Sequence, residues 1–192
     1  MIAAADLATV LGAVVDEVTV LLDGLGAPHM IIGGLSLGAH VEARATKDVD
    51  FAVVADVVAA EQVLHGMAAL GYTARMSGPA GPGAVVRFSR TGADGITRWA
   101  DVLFAGTPFE QRAVQRAIRR PLLGRSVPVA TVEDLLVFKL IAGRPQDVAD
   151  AVRLIAAHGS RLDRPYLETA VAEWDLQDSL AHVERLARGE PA

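Results

Sequence analysis

The chain has 192 residues, 52% of them hydrophobic and 5% aromatic, with no cysteine and a formal net charge of −5. That length allows one domain or one and a half with a sizeable core, which Ala, Val and Leu must build because aromatics are scarce. The lack of cysteine excludes a disulfide framework, a thiolate metal site and a cysteine nucleophile, and the acidic balance argues against a protein that coats nucleic acid over its whole surface.

No basic region precedes the apolar N-terminal residues, which Asp6 and Asp16 interrupt, so the start does not read as a secretory signal. No stretch reaches the roughly 18 uninterrupted apolar residues of a membrane span, and the cytoplasm is the expected compartment. Residues 5–23 read as an amphipathic helix, since Leu7, Val10, Leu11, Val14, Val18, Leu21 and Leu22 recur at helical spacing. Gly24 and Gly26 end it. His29-Met30-Ile31-Ile32 is the first strand, with His29 a structural residue at its entrance. It runs into Gly33, Gly34 and Ser36, where a short helix is expected. The two glycines let the backbone approach a ligand closely, and a helix N-terminus offers free N–H groups to a phosphate. Ser36 can cap that helix or donate to a phosphate oxygen.

After Arg44, Ala45, Thr46 and Lys47, residues 48–53 (Asp-Val-Asp-Phe-Ala-Val) read as a second apolar strand. Alternation puts Asp48 and Asp50 on the same side of it. Adjacent like charges on such a strand are costly unless a cation sits between them, and carboxylates suit hard ions such as Mg²⁺. Phosphate at the glycines and metal at the aspartates would together hold a nucleoside triphosphate.

A helix is expected over about residues 57–70, a short strand over 72–76, and a loop over the Gly- and Pro-rich residues 77–83. Residues 84–90 and 96–104 read as a hairpin around a turn at 91–95. Trp99, Asp101 and Leu103 share one face of its returning strand, where Asp101 needs a partner. A helix is expected over 108–118. Arg112, Arg116, Arg119, Arg120 and Arg125 form a basic cluster of five arginines in fourteen residues; it reads equally as a solvated face or as a contact for an anionic substrate. Residues 127–130 are a short extended segment.

Thr131 is the expected N-cap of a further helix, with Asp134 at its third position. The apolar run 135–141 carries Lys139, which with Lys47 makes up the lysine content of a chain holding 18 basic residues. After a break at Gly143, Arg144 and Pro145, a second helix over 146–157 presents Asp147 and Asp150 on one face. An unpaired ammonium in an apolar helix is costly, so a phosphate or carboxylate is expected near Lys139. Arg144, Asp147 and Asp150 also fit an ion-pair network that ties the helices to the sheet. Two more helices are expected over 163–189, one with Tyr166, Leu167, Ala170, Val171 and Trp174 inward, the other with Leu180, Val183 and Leu186 inward.

Two motifs resemble known families. Ile32-Gly33-Gly34, a spacer of thirteen, then Asp48-Val49-Asp50-Phe51 resembles the signature of the polymerase-β-type nucleotidyltransferases. The series Lys139, Arg144, Asp147 and Asp150 resembles the motif of that superfamily's AbiEii-type, MenT-like toxin branch. The resemblance spans about residues 30–155. It implies an α/β fold, a polymerase-β-like mixed sheet flanked by helices, with a nucleotidyltransferase core and N-terminal helix over 1–130 and a C-terminal helical region over 131–192. The implied activity is Mg²⁺-dependent transfer of a nucleoside monophosphate from an NTP to an acceptor hydroxyl, with release of pyrophosphate. Asp48, Asp50 and Asp101 would hold two Mg²⁺ ions, and Asp101 would also orient or deprotonate the acceptor. Gly33, Gly34 and Ser36 would cradle the triphosphate, with Lys139 opposing its charge and Lys47, Arg44 and Arg144 completing the nucleotide-binding set. Asp147 and Asp150 are further candidates. The toxin branch implies an RNA acceptor, typically tRNA, held by Arg112, Arg116, Arg119, Arg120 and Arg125, and a cognate antitoxin partner. A small-molecule acceptor, such as an aminoglycoside, is the alternative within the class. A nucleotide-binding regulatory module without turnover is the alternative outside it, and the intact carboxylate triad argues against that.

Overall fold

A single mixed sheet organises the computed structural model, which describes residues 4–190. Its strands are β1 (His29–Ile32), β2 (Asp48–Val53), β3 (Thr73–Arg75), β4 (Val85–Thr91), β5 (Thr97–Phe104), β6 (Ile118–Leu122) and β7 (Arg125–Val129). They lie in the order β3-β4-β5-β2-β1-β7-β6. The β2–β5 and β1–β7 pairs are parallel and the other neighbours antiparallel. The flanking helices are α1 (Ala4–Gly24), α2 (Gly33–Leu37), α3 (Val57–Ala69), α4 (Pro108–Gln115), α5 (Val132–Ala142), α6 (Pro145–His158), α7 (Arg164–Ala172) and α8 (Gln177–Ala187). Among the described residues, no helix is long and apolar enough to cross a membrane.

Strand alternation divides the apolar residues between two layers. On one face Val49, Phe51 and Val53 of β2 join Ala100, Val102 and Phe104 of β5 and Val86 and Phe88 of β4. They pack against Val14, Val15, Val18 and Leu22 of α1 and Ala60, Val63 and Met67 of α3. On the other face Met30 and Ala52 meet Phe109 of α4, Leu135 and Leu136 of α5, and Leu154, Leu167 and Val183 of α6, α7 and α8. Asp48 and Asp50 are in phase with Ala52, so they project toward this second layer.

The helix expected over 108–118 ends at Gln115 with Arg116 as its C-cap, and residues 118–122 form edge strand β6 instead. The link to β7 is a two-residue turn in which Leu123 and Gly124 both have positive φ, 50° and 78°. Such a turn matches the twist of a hairpin, but Leu in the left-handed region is uncommon and lacks the Asn-Gly signature that marks it in a sequence. Pro121 and the two arginines of β6 suit an unpaired edge.

The start of α5 follows the expected capping pattern and extends it. The Asp134 backbone N–H donates to Thr131 Oγ1 at 3.1 Å, and that hydroxyl donates to Asp134 Oδ2 at 2.7 Å. The Asp134 carboxylate is fully buried and also accepts from Arg116 Nε at 3.3 Å and from the Tyr166 hydroxyl. The Arg116 guanidinium lies over the Tyr166 ring at 3.6 Å. One carboxylate thus joins α4, α5 and α7. Burial, reinforced by Asp134, holds the Tyr166 hydroxyl above its usual pKa. Asp134→Ala leaves a buried hydroxyl and a guanidinium without their acceptor, and is expected to destabilise the protein by about 2–4 kcal/mol. The check is urea unfolding, in which the midpoint should fall with little change in slope.

Candidate active site

The site begins where β1 ends. Gly33 has φ +67°, and a Cβ there would meet the Asp50 carboxylate, with Asp50 Cγ at 2.6 Å. Glycine is therefore required twice over, for the left-handed backbone and for the close approach. At Gly34 a Cβ would meet Thr46 Oγ1 at 3.1 Å and the Arg44 guanidinium at 3.2 Å. The Gly-Gly turn is thus laid directly against the acidic end of β2.

On β2 the parallel register sets Asp48 beside Trp99 and Asp50 beside Asp101 of β5. Antiparallel pairing then sets Arg87 of β4 opposite Asp101. Asp48 accepts from Thr46 Oγ1 at 2.9 Å. Arg87 grips Asp101 with two donors, Nε at 2.8 Å and Nη2, and its Nη2 also lies 3.5 Å from Asp48 Oδ2. That bond to Asp101 raises the pKa of the Arg87 guanidinium. Asp50 receives no such partner. Burial first, then the charges of Asp48 and Asp101, push its carboxyl up to about 7, against the opposing pull of Lys139 and the Gly34 backbone.

The opposite wall comes from α5 and α6. Lys139 is buried, and its Nζ donates to Asp147 Oδ1 at 3.0 Å and to Asp150 Oδ2 at 2.8 Å. Arg44 donates to Asp150 from Nε at 2.9 Å and from Nη2 at 2.9 Å, and Arg144 pairs with Asp147. Burial alone would raise both carboxyls. The hydrogen bonds from Arg144 and Lys139 to Asp147, and from Arg44 and Lys139 to Asp150, outweigh it and hold both below their ordinary value. Because Arg44 lies in the loop before β2, this network clamps the two helices to the edge of the site.

Between the walls lies a cavity of about 570 Å³. Of the residues singled out in the sequence, Gly33, Gly34, Arg44, Asp48, Asp50, Asp101, Lys139, Arg144 and Asp147 line it. Asp150 sits behind them, fully buried and holding Arg44 and Lys139. Two of the residues singled out lie apart from the cavity. Ser36 neither caps α2, whose N-cap is Ile32, nor lines the cavity, and its hydroxyl is fully buried without a hydrogen-bond partner among the described residues. Lys47 is exposed and does not line the cavity.

The basic cluster is dispersed. Arg112 pairs with Glu173, Arg116 with Asp134 and Arg125 with Asp16, and Arg119 donates to the Ser126 carbonyl at 2.6 Å. Glu173 ends α7 and Asp16 lies on α1, and these helices cover opposite faces of the sheet. The sequence does not point to Arg87: a turn at 91–95 would pair residues 90 and 96 and set Arg87 opposite Trp99, whereas the observed Thr91–Thr97 pair sets it opposite Asp101. Phe138 and Glu110 also line the cavity. Glu110 is engaged in the capping box of α4.

Among the described residues, no three His, Cys, Asp or Glu side chains converge as a formed metal cluster. The donor set nevertheless fits a hard cation. Asp48 and Asp50 share a face, Asp101 is in register beside them, and a guanidinium already stands as counter-ion between Asp48 and Asp101.

No family profile matches the sequence, and no curated protein matches it. Solved structures do. An antigenic nucleotidyltransferase-like protein from Paracoccidioides brasiliensis superposes with a TM-score of 0.52 at 18% identity, over 96% of this chain and 94% of that one. The fold is nucleotidyltransferase-like. ANT(2″)-Ia, solved in complex with adenylyl-2″-tobramycin, gives a TM-score of 0.57 at 13% identity over 85% of this chain and 95% of its own. The nucleotidyltransferase toxin MenT4 from Mycobacterium tuberculosis gives 0.52 at 19% identity over 83% of this chain and 61% of its own.

The raised pKa of Asp50 has a signed consequence for stability. The folded protein holds this proton to about 7, whereas the ordinary value is 3.8. Its stabilising contribution is therefore full below about pH 4 and is lost as the pH rises through about 7. Without added metal, Asp50→Asn is expected to melt close to wild type near pH 4 and several degrees higher near pH 8. A melting-temperature difference that stays constant across this range would contradict the account.

Proposed function

We propose that this chain transfers a nucleoside monophosphate from a nucleoside triphosphate to an acceptor hydroxyl. One observation carries the reading: the Gly33-Gly34 turn is packed against Asp50, and Asp50 is in parallel register with Asp101 on the neighbouring strand. Asp48 and Asp50, with Asp101, would hold the divalent cations. Such ions, when bound, neutralise the triphosphate and polarise its phosphoryl oxygens.

The chain's own residues do the rest. Gly33 and Gly34 bring the backbone close to the phosphates. Arg144, largely exposed at the cavity mouth, meets the outer phosphates, and Lys139, fixed between two aspartates, adds a positive charge behind them. The acceptor oxygen attacks the α-phosphorus, forming one O–P bond as the bond to the bridging oxygen breaks and pyrophosphate departs. Asp101 takes the hydroxyl proton. Most of the rate then comes from positioning and charge neutralisation.

For the acceptor, a small hydroxyl compound fits better than RNA, because Arg112 at Glu173 and Arg125 at Asp16 lie toward opposite faces of the sheet and do not form one cationic surface. The likeness to ANT(2″)-Ia, whose bound molecule is an adenylylated aminoglycoside, supports that choice. An RNA acceptor with an antitoxin partner is the second reading, supported by the likeness to MenT4. The full set of carboxylates lining the cavity speaks against a module without turnover.

The test is incubation with each α-labelled NTP and Mg²⁺, offering total RNA in one series and a panel of aminoglycosides and other polyhydroxy compounds in another. Label is expected in the small-molecule series. Label in RNA alone would move the assignment to the second reading. Asp48→Asn and Asp50→Asn should each lower turnover by about 10²–10³-fold or more while the protein stays folded. Near-normal turnover in either variant would contradict the proposed chemistry.

A further inference from the structure

Arg87 is a cation at the carboxylates to which the proposed transfer assigns no role. Its position follows from the sheet: β4 pairs with β5 so that Arg87 stands opposite Asp101, one strand away from the Asp48/Asp50 face. Two of its nitrogens hold both Asp101 oxygens, and Nη2 reaches Asp48 Oδ2 at 3.5 Å. A forked guanidinium–carboxylate pair of this kind occupies the acceptor directions that Asp101 would otherwise turn toward a metal. The side chain is nevertheless 49% exposed, so solvent screens the pair and leaves it weak enough to exchange.

A second space opens on the far side of the pair. A groove of about 570 Å³ lined by Arg75, Met76, Ser77, Gly83 and Ala84 adjoins the cavity, and Val85, Arg87 and Asp101 border both. Arg87 thus forms part of the partition between two spaces onto which Asp101 opens. Its guanidinium carbon also lies 5.6 Å from the centre of the Trp99 ring, and Trp99 sits beside Asp48 in the parallel register.

We propose that Arg87 is a displaceable counter-ion, which pairs with Asp101 and Asp48 in the ligand-free protein and is driven off Asp101 into solvent when a divalent cation binds. The inference rests on the reading that the three aspartates bind a metal. The physical sequence is simple. Without a cation, three carboxylates on two adjacent strands repel one another, and the guanidinium relieves that repulsion. A divalent ion carries more charge in less space and takes over the same oxygens. Like charge then expels the guanidinium, and Asp101 is left free on the side that faces the groove. The acceptor hydroxyl reaches Asp101 from that groove, so metal binding precedes productive acceptor binding.

The test uses Mn²⁺ without nucleotide on the full chain. Free Mn²⁺ is followed by electron paramagnetic resonance, and Trp99 emission is followed with diamagnetic Mg²⁺ in a Trp174→Phe background. In the otherwise wild-type chain, the Trp99 signal is expected to change along the Mg²⁺ isotherm, because the cation stacked on the ring departs. Arg87→Met should bind Mn²⁺ about three- to tenfold more tightly, since no pair has to be broken, and its Trp99 signal should not respond. Arg87→Lys, which keeps the charge but loses the fork, should fall between the two. Mn²⁺ binding of unchanged or weaker affinity in both Arg87 variants overturns the counter-ion alone. If neither the parent chain nor the variants bind Mn²⁺, the metal reading falls and this inference with it.

Discussion

The molecule depends on an electrostatic constraint built into its central strands. Alternation along β2 puts Asp48 and Asp50 on one face, and the parallel pairing with β5 puts Asp101 level with Asp50. Three carboxylates are thereby held side by side at the border of an apolar layer, where like charges are poorly screened. The adjoining structure answers that problem. The Gly33-Gly34 turn presents backbone to Asp50, Thr46 donates to Asp48, and Arg87 grips Asp101. Asp50 receives the least compensation, and its elevated pKa records it.

The second charged network works differently. Lys139, Asp147, Asp150, Arg44 and Arg144 alternate in sign and satisfy one another within hydrogen-bonding distance. Buried pairs of this kind contribute little net stability, yet breaking one is costly because a charge is left unpaired in an apolar setting. The network therefore acts as a geometric clamp. It fixes the wall formed by α5 and α6 against the loop that leads into β2, and it sets the width of the cavity. Lys139 supplies positive potential from a fixed, buried place, whereas the Arg87 side chain, on β4 between β3 and β5, is half exposed.

Much of this was legible in the sequence, for identifiable reasons. The β1–Gly-Gly–β2 unit could be read because apolar runs, glycines and alternating aspartates each carry a local signal, and all agree. Lys139, Asp147 and Asp150 could be singled out because a lysine in an apolar helix demands a partner and two aspartates three apart share a face. Their mutual pairing needed the tertiary arrangement. Ser36 misled because a serine following Gly-Gly resembles a cap, whereas α2 starts at Gly33 and turns that serine inward. The arginine cluster reads two ways in the sequence because nearness along the chain does not fix nearness on a surface; the turn at Leu123 and Gly124 sends Arg125 toward α1 and away from Arg112. Arg87 was overlooked for the converse reason, since it meets Asp101 through strand pairing between residues fourteen apart.

The central claim is that Asp48 and Asp50 form the metal-binding edge of a nucleotide site. Crystals grown with Mn²⁺ and a non-hydrolysable nucleoside triphosphate test it most directly, by anomalous scattering at the manganese edge. The account predicts a peak in ligand contact with both Asp48 and Asp50, at about 2.1–2.2 Å from carboxylate oxygens, with the phosphates lying against Gly33 and Gly34. A nucleotide bound elsewhere, or manganese held without Asp48 and Asp50, would contradict it.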